Sequence, residues 1–206
     1  MSLDWHQHLR RSTVLPGVDA LIAAEPVPLW EAVEASLGVR VGPPFWGHVW
    51  PGSLALARHL STRDLTGVRA LDFACGGGLA GIVAAKQGAS VLANDVDGLA
   101  IEVTKANAAV NGVTLSVSTN DLVGAPSAWQ LVLVGDVFYE APLVARLVPW
   151  LDALVRSGAE VLVGDPGRQF FPKQRARLIA EFEVACVPAW DSVVDRPASV
   201  WQWSAA

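Results

Sequence analysis

Residues 71–81 read LDFACGGGLAG. A short apolar run holding one acid, Asp72, stops at three consecutive glycines, Gly76, Gly77 and Gly78, and small residues follow through Gly81. A strand that turns sharply into a helix has this form. Glycine allows the turn and lets a ligand approach the amides at the helix start.

Outward from this stretch the same order repeats. VRALDF (68–73) reads as a strand and GLAGIVAAKQG (78–88) as a helix stopped by Gly88. SVLAND (90–95) is a second strand. The helix after it has Asp97 as N-cap and Asn111-Gly112 as its stop. VTLSVSTND (113–121) alternates as a third strand, and WQLVLVGD (129–136) is a fourth. APLVARLVPWLDALVRSG (141–158) is helical, with Pro149 expected to kink or split it. AEVLVGD (159–165) is a fifth strand, PKQRARLIAEF (172–182) a helix, and EVACVPAW and ASVWQWS the last two strands. The pattern predicts an α/β fold: a Rossmann-like, doubly wound, mainly parallel seven-stranded sheet with helices on both faces.

Upstream, residues 1–63 predict a helical extension. VDALIAAE and LWEAVEASLG have helical spacing, with Gly38 ending the second, and Pro51 opens a further helix. Between them VGPPFWGHVWPG (41–52) is an aromatic loop. The expectation is a single domain over 1–206, with the extension and loop in 1–63 and the core in 64–206.

Composition narrows the function classes. The chain has 206 residues, 52% hydrophobic and 17% charged, which excludes a disordered chain. The net charge of -5 argues against a general nucleic-acid binder. No apolar run is long enough to span a bilayer, and the N-terminus lacks the form of a secretory signal. Cys75 and Cys186 make a disulfide framework improbable, so the expected compartment is the reducing cytoplasm. No cluster has metal-ligand spacing, and no metal site is predicted. Arg168, Lys173, Arg175 and Arg177 read as a solvated helix face, and five of the nine tryptophans, Trp30, Trp46, Trp50, Trp129 and Trp150, as core filler with satisfied N–H groups.

In open parallel sheets, ligands bind beyond the carboxyl ends of the strands. At the first end, Asp72 would repel a pyrophosphate and welcome a cation. S-adenosylmethionine, with an ammonium and a sulfonium, is such a ligand: its carboxylate suits the loop amides around Gly76 and Gly78, and Asp72 its ammonium side. At the second end, Asp95, 19 residues after Gly76, can accept from both hydroxyls of a ribose. At the third, Asp121 can accept from an adenine amino group and Leu122 can lie against the ring. Asp121 reads equally well as a turn residue.

Asp72-x-x-x-Gly76-x-Gly78, Asp95 and Asp121 resemble the class I, seven-strand S-adenosylmethionine-dependent methyltransferases over about residues 41–203. Where that family's loop usually opens with another glycine, this chain has Ala74. PFWGHVWPGSLALARHL, GDVFYE and GDPGR are similar to one branch, the protein-lysine methyltransferases that include the enzyme modifying the β subunit of electron-transfer flavoprotein. The resemblance implies that Trp50 lines the cofactor pocket and that Gly135 lets the cofactor pass close to the fourth strand. It also implies that Asp136 and Tyr139 stand at the methyl-transfer corner, the acid accepting from an amine and the phenol forming an aromatic wall. A carboxylate holds a lysine in its charged form, so Asp136 is an anchor rather than a strong base. The implied activity is N-methylation of a protein lysine. The alternatives are a small-molecule N-methyltransferase, its acceptor enclosed by Phe45, Trp46 and Trp50, and a nucleotide-binding oxidoreductase or non-catalytic binder. Asp165 and Arg168 read either as the far lip of the cleft or as a salt-bridged turn. Glu140 reads as cleft-facing or as favouring a helix start, and His48 as structural.

Overall fold

A computed structural model describes residues 5–191 and 195–205. After a short 3-10 turn come strands β1 (Leu9–Leu15) and β2 (Val18–Ala23), then helices α1 (Pro26–Leu37) and α2 (Pro51–Leu60). The core continues as β3 (Arg69–Phe73), α3 (Leu79–Lys86), β4 (Ser90–Asn94), α4 (Gly98–Val110), β5 (Ser116–Ser118), β6 (Leu131–Gly135), α5 (Ala141–Arg156) and β7 (Glu160–Asp165). It closes with β8 (Ala176–Ala185), the short α6 (Pro188–Asp191) and β9 (Asp195–Trp203).

The seven-stranded sheet runs β5-β4-β3-β6-β7-β9-β8. The first five are parallel, and β9 lies antiparallel to both β7 and β8. Alternate residues of each central strand serve opposite faces. Leu131 and Leu133 pack with α2 and α3, while Val132 and Val134 pack with Leu147, Leu151 and Leu154 of α5. Helices therefore cover both faces. The carboxyl ends of β3, β4, β6 and β7 lie along one edge, and the loops leaving that edge hold the candidate site.

Four local expectations are corrected. VDALIAAE is not helical: Val18–Ala23 pairs antiparallel with Leu9–Leu15 across a Pro16-Gly17 turn in which Gly17 has φ 72°. PKQRARLIAEF is not a helix either. It forms a 3-10 turn at Lys173–Arg175 and then β8, which runs on through EVA against β9. Pairing along ten residues outweighs the helical propensity of Arg, Leu, Ala and Glu. Pro149 does not break α5; it sits on the exposed face, where water can serve the carbonyl one turn back. The N-terminal segment is thus a hairpin followed by helices, and α2 belongs to the main core.

Two helix ends fall where the sequence places them. Asp97 caps α4 through the N–H of Leu99 at 2.9 Å, and Gly38 ends α1 with φ 69°. The indole N–H groups of Trp30, Trp50, Trp150, Trp190 and Trp203 all donate to oxygen. Cys75 and Cys186 are free and buried. Among the described residues no helix is long and apolar enough to cross a membrane, and no group of His, Cys, Asp and Glu could hold a metal ion.

Candidate active site

The glycine loop leaves β3 through Ala74, whose φ of 50° is in the left-handed region, as are Gly76 at 53° and Gly78 at 79°. Ala74 carries a strain of roughly 1 kcal/mol that glycine would not. Two side chains of α4 hold the loop from beneath. Thr104 donates to the Gly76 carbonyl at 2.9 Å, and the Asn107 amide to the Gly77 carbonyl at 2.8 Å. A Cβ on Gly78 would lie 2.7 Å from Thr104, so the close approach demands glycine there. Asn107 also accepts from the N–H of Leu21 at 2.7 Å, tying the hairpin to the loop. Sequence reasoning missed both residues; the available signal was two polar side chains at i, i+3 on an otherwise apolar helix face.

Asp72 does not face outward at the loop mouth. It is 3% exposed and its carboxylate accepts from the Gly81 N–H at 2.8 Å in the first turn of α3. Burial, reinforced by the charge of Asp95 and opposed by that hydrogen bond, pushes its pKa up to about 7. Asp72 thus organises the helix start from inside. Gly81 is its counterpart, because a Cβ there would lie 2.8 Å from the carboxylate.

Asp95 ends β4 half-buried. One oxygen accepts from the Gly76 N–H at 2.9 Å and the other from the Asp97 N–H at 3.0 Å, leaving lone pairs on both. Burial raises its pKa and the backbone bonds oppose that rise. Beside it Val96 is 71% exposed, an apolar side chain held open next to a carboxylate. This too was missed from sequence. Asp121 is exposed, accepts from the Val123 N–H at 3.1 Å and pairs with Arg146 at 2.5 Å. The turn reading thus describes its present partners. Leu122 is half-buried against the α5 cluster.

Gly135 is packed too closely for a side chain. The space of its missing Cβ is filled by Ser53 of α2, whose Cα would lie 3.2 Å from a Cβ there. The backbone then turns at Asp136 with φ 59°, its N–H donating to the Gly164 carbonyl at 2.9 Å. Asp136 is 6% exposed. One of its oxygens accepts from the Gly52 N–H, the other from Arg168 Nε at 2.8 Å and Nη2 at 2.5 Å. Burial pushes its pKa up to about 6, against the charge and hydrogen bonds of Arg168 and the Gly52 N–H. The carboxylate expected to meet an amine is therefore already engaged on both sides.

Three aromatic rings stand in a row here. Tyr139, 44% exposed, meets Phe45, 42% exposed, edge-on at 6.0 Å, and Phe45 meets Trp50 at 5.7 Å. Burial raises the Tyr139 pKa, helped by the charges of Glu140 and Asp95. The Arg168 guanidinium lies 5.5 Å over Trp50. Asp165 accepts from the N–H groups of Gly167 and Arg168 at 2.7 and 2.8 Å through one oxygen, while its other oxygen is buried without a partner. So Asp165 makes the turn and Arg168 makes the ion pair, to Asp136. His48 is buried, stacked on Trp190 and bonded to Asp191 at 2.8 Å, which fits the structural reading. Glu140 is exposed and directly precedes α5.

The model of a family described as lysine methyltransferase matches residues 41–175, from the aromatic loop past Arg168 to Arg175. The chain belongs to this lysine methyltransferase family. The electron transfer flavoprotein beta subunit lysine methyltransferase of Xenopus laevis is 43% identical over 136 residues, 63% of this chain and 55% of that protein. The ribosomal protein L11 methyltransferase of Thermus thermophilus is 32% identical over 184 residues, 86% of this chain and 68% of that protein. A solved structure, the Pyrococcus abyssi tRNA (uracil-54, C5)-methyltransferase in complex with S-adenosyl-L-homocysteine, aligns with TM-score 0.59 at 18% identity, over 94% of this chain and 44% of that one. That likeness is one of fold. The chain spans about half the length of the flavoprotein-directed relatives it matches. The matched region of the lysine methyltransferase family holds all ten residues singled out from the sequence, from Trp50 to Tyr139.

Proposed function

We propose that the chain is an S-adenosylmethionine-dependent N-methyltransferase acting on lysine side chains of a protein, with the hairpin, helices and sheet working as one domain. The observation that carries the reading is the joining, on one sheet edge, of a strapped glycine loop with Asp95 to an aromatic corner at Tyr139. The donor set fits the cofactor: Asp95 keeps lone pairs on both oxygens for ribose hydroxyls, and exposed Val96 offers an apolar neighbour to a base. The positive end of α3 and the loop amides suit a carboxylate. Asp121 remains the candidate acceptor for the adenine amine, in exchange for its link to Arg146. When bound, S-adenosylmethionine supplies an electrophilic methyl carbon on a sulfonium, which departs as a neutral thioether. The chain's part is alignment and exclusion of water, worth about 7 kcal/mol where geometry is good. Trp50, Phe45 and Tyr139 form the walls that orient the incoming nitrogen.

Phe45 and Tyr139 are both more than 40% exposed, so the corner opens to solvent. An open mouth suits a side chain carried on a protein surface better than an enclosed heterocycle. The free, buried cysteines suit a reducing compartment such as the cytoplasm. The relatives nominate two acceptors, the β subunit of electron transfer flavoprotein and ribosomal protein L11. The test incubates purified chain and methyl-labelled S-adenosylmethionine with each recombinant acceptor and with a cell extract. Label on lysine of a protein is expected; label confined to small molecules overturns the reading.

A further inference from the structure

We infer that Arg168 is a positioning residue that acts through Asp136: it masks the carboxylate so that the acceptor amine docks uncharged. The inference rests on the proposed N-methylation of lysine. A methyl acceptor needs a free lone pair, yet a lysine amine with reference pKa about 10.4 arrives protonated. A bare carboxylate at the corner would deepen that problem, since an anion stabilises the ammonium form.

The corner is built against this. Asp136 is buried with both oxygens engaged, one by Gly52 and one by two nitrogens of Arg168. The Arg168 side chain, 22% exposed against 6% for Asp136, is the outer member of the pair. Its guanidinium is fixed three ways: by Asp136, by the face of Trp50, and by the turn that Asp165 holds through the backbone of residues 167 and 168. An amine entering along Trp50, Phe45 and Tyr139 therefore meets a cation in front of the acid, which favours loss of its proton to water.

The other charged groups make the cation necessary. The charge of Asp165 raises the pKa of Asp136, and Lys173 acts on Asp165. The charges of Glu140, next in sequence, and of Asp95 act on Tyr139. The Cys186 thiol feels Asp136, and the His48–Asp191 pair backs Trp50. Removing the Arg168 charge leaves carboxylates dominant at the corner, a trap for ammonium.

Two measurements test this on the full chain with Arg168→Gln and the charge-conserving Arg168→Lys. Without donor or acceptor protein, n-butylammonium is titrated while the Asp136 carboxyl and Arg168 Nε–H signals are followed by NMR. The wild type is expected to show no displacement of Arg168, and Arg168→Gln to bind the ammonium at Asp136. Loss of the wild-type Nε–H signal on adding n-butylammonium would overturn the inference, making the guanidinium a removable plug. That arm needs only the wild type should Arg168→Gln not fold. In the second, methylation of extract protein is followed against pH. Arg168→Gln is expected to move the rise in rate upward by about one pH unit, with Arg168→Lys restoring most of the shift. A uniform loss at every pH would reduce Arg168 to a structural role. A wild type that labels no protein overturns the proposed function instead.

Discussion

Gly52 and Gly164 meet backbone to backbone at the carboxyl edge of the sheet. A Cβ on either would overlap the carbonyl oxygen of the other. This contact seats the first turn of α2 on β7 and aims the Gly52 N–H at Asp136.

Gly52→Ala and Gly164→Ala should each destabilise the chain by about 3 kcal/mol, because backbone cannot yield as a side-chain tip can. Urea unfolding measures it. Either substitution should also lower turnover in the folded fraction, since the Gly52 N–H is pushed out of line with Asp136.

Asp136→Ala should leave S-adenosylhomocysteine binding intact in calorimetry while turnover falls at least about 100-fold, roughly 2.7 kcal/mol. Near-normal turnover would remove the residue from the mechanism.

Asp72→Asn should change how stability depends on pH. The Asp72 pKa is raised to about 7 in the folded chain from 3.8, so folding takes up a proton between these values. The stability it contributes is full below the unfolded value and is lost as pH rises through about 7. Asn keeps an acceptor for the Gly81 N–H without the charge. The variant should therefore be more stable than wild type above pH 7, with a flatter melting profile from pH 4 to 7. An unchanged slope would mean that Asp72 is ionised throughout.

Asn107→Leu should cost about 3 kcal/mol, because it strands both the Leu21 N–H and the Gly77 carbonyl. The glycine loop should loosen with it. Calorimetry with S-adenosylhomocysteine should report at least tenfold weaker binding, about 1.4 kcal/mol.

Much of this architecture was legible in the chain. The alternation from β3 to β7 follows from apolar runs ending in glycine or acid, and Asp97, Gly38 and Pro51 mark helix ends by local chemistry alone. β2 and β8 were read wrongly because short amphipathic stretches suit either period. Their partners, β1 and β9, decide between them. The same holds at the site. Asp95 and Tyr139 sit at strand ends that sequence can locate. The inward turn of Asp72, the filling of Gly135 by Ser53 and the capture of Asp136 by Arg168 all depend on residues brought together from afar. Thr104 and Asn107 showed only as two polar residues on an apolar helix face, because their use is to bond carbonyls of a loop about thirty residues earlier.

Asn107 also limits where the polypeptide can be shortened. A fragment starting at Val41, where the family match begins, would discard Leu21 and the apolar cover of Ala100 and Val103 supplied by Trp5, Leu9, Ala23, Leu29 and Val33. Such a trimmed protein would present bare helix surface to its neighbours and clump. Residues 5–40 thus bracket the glycine loop and must be kept in any minimal version.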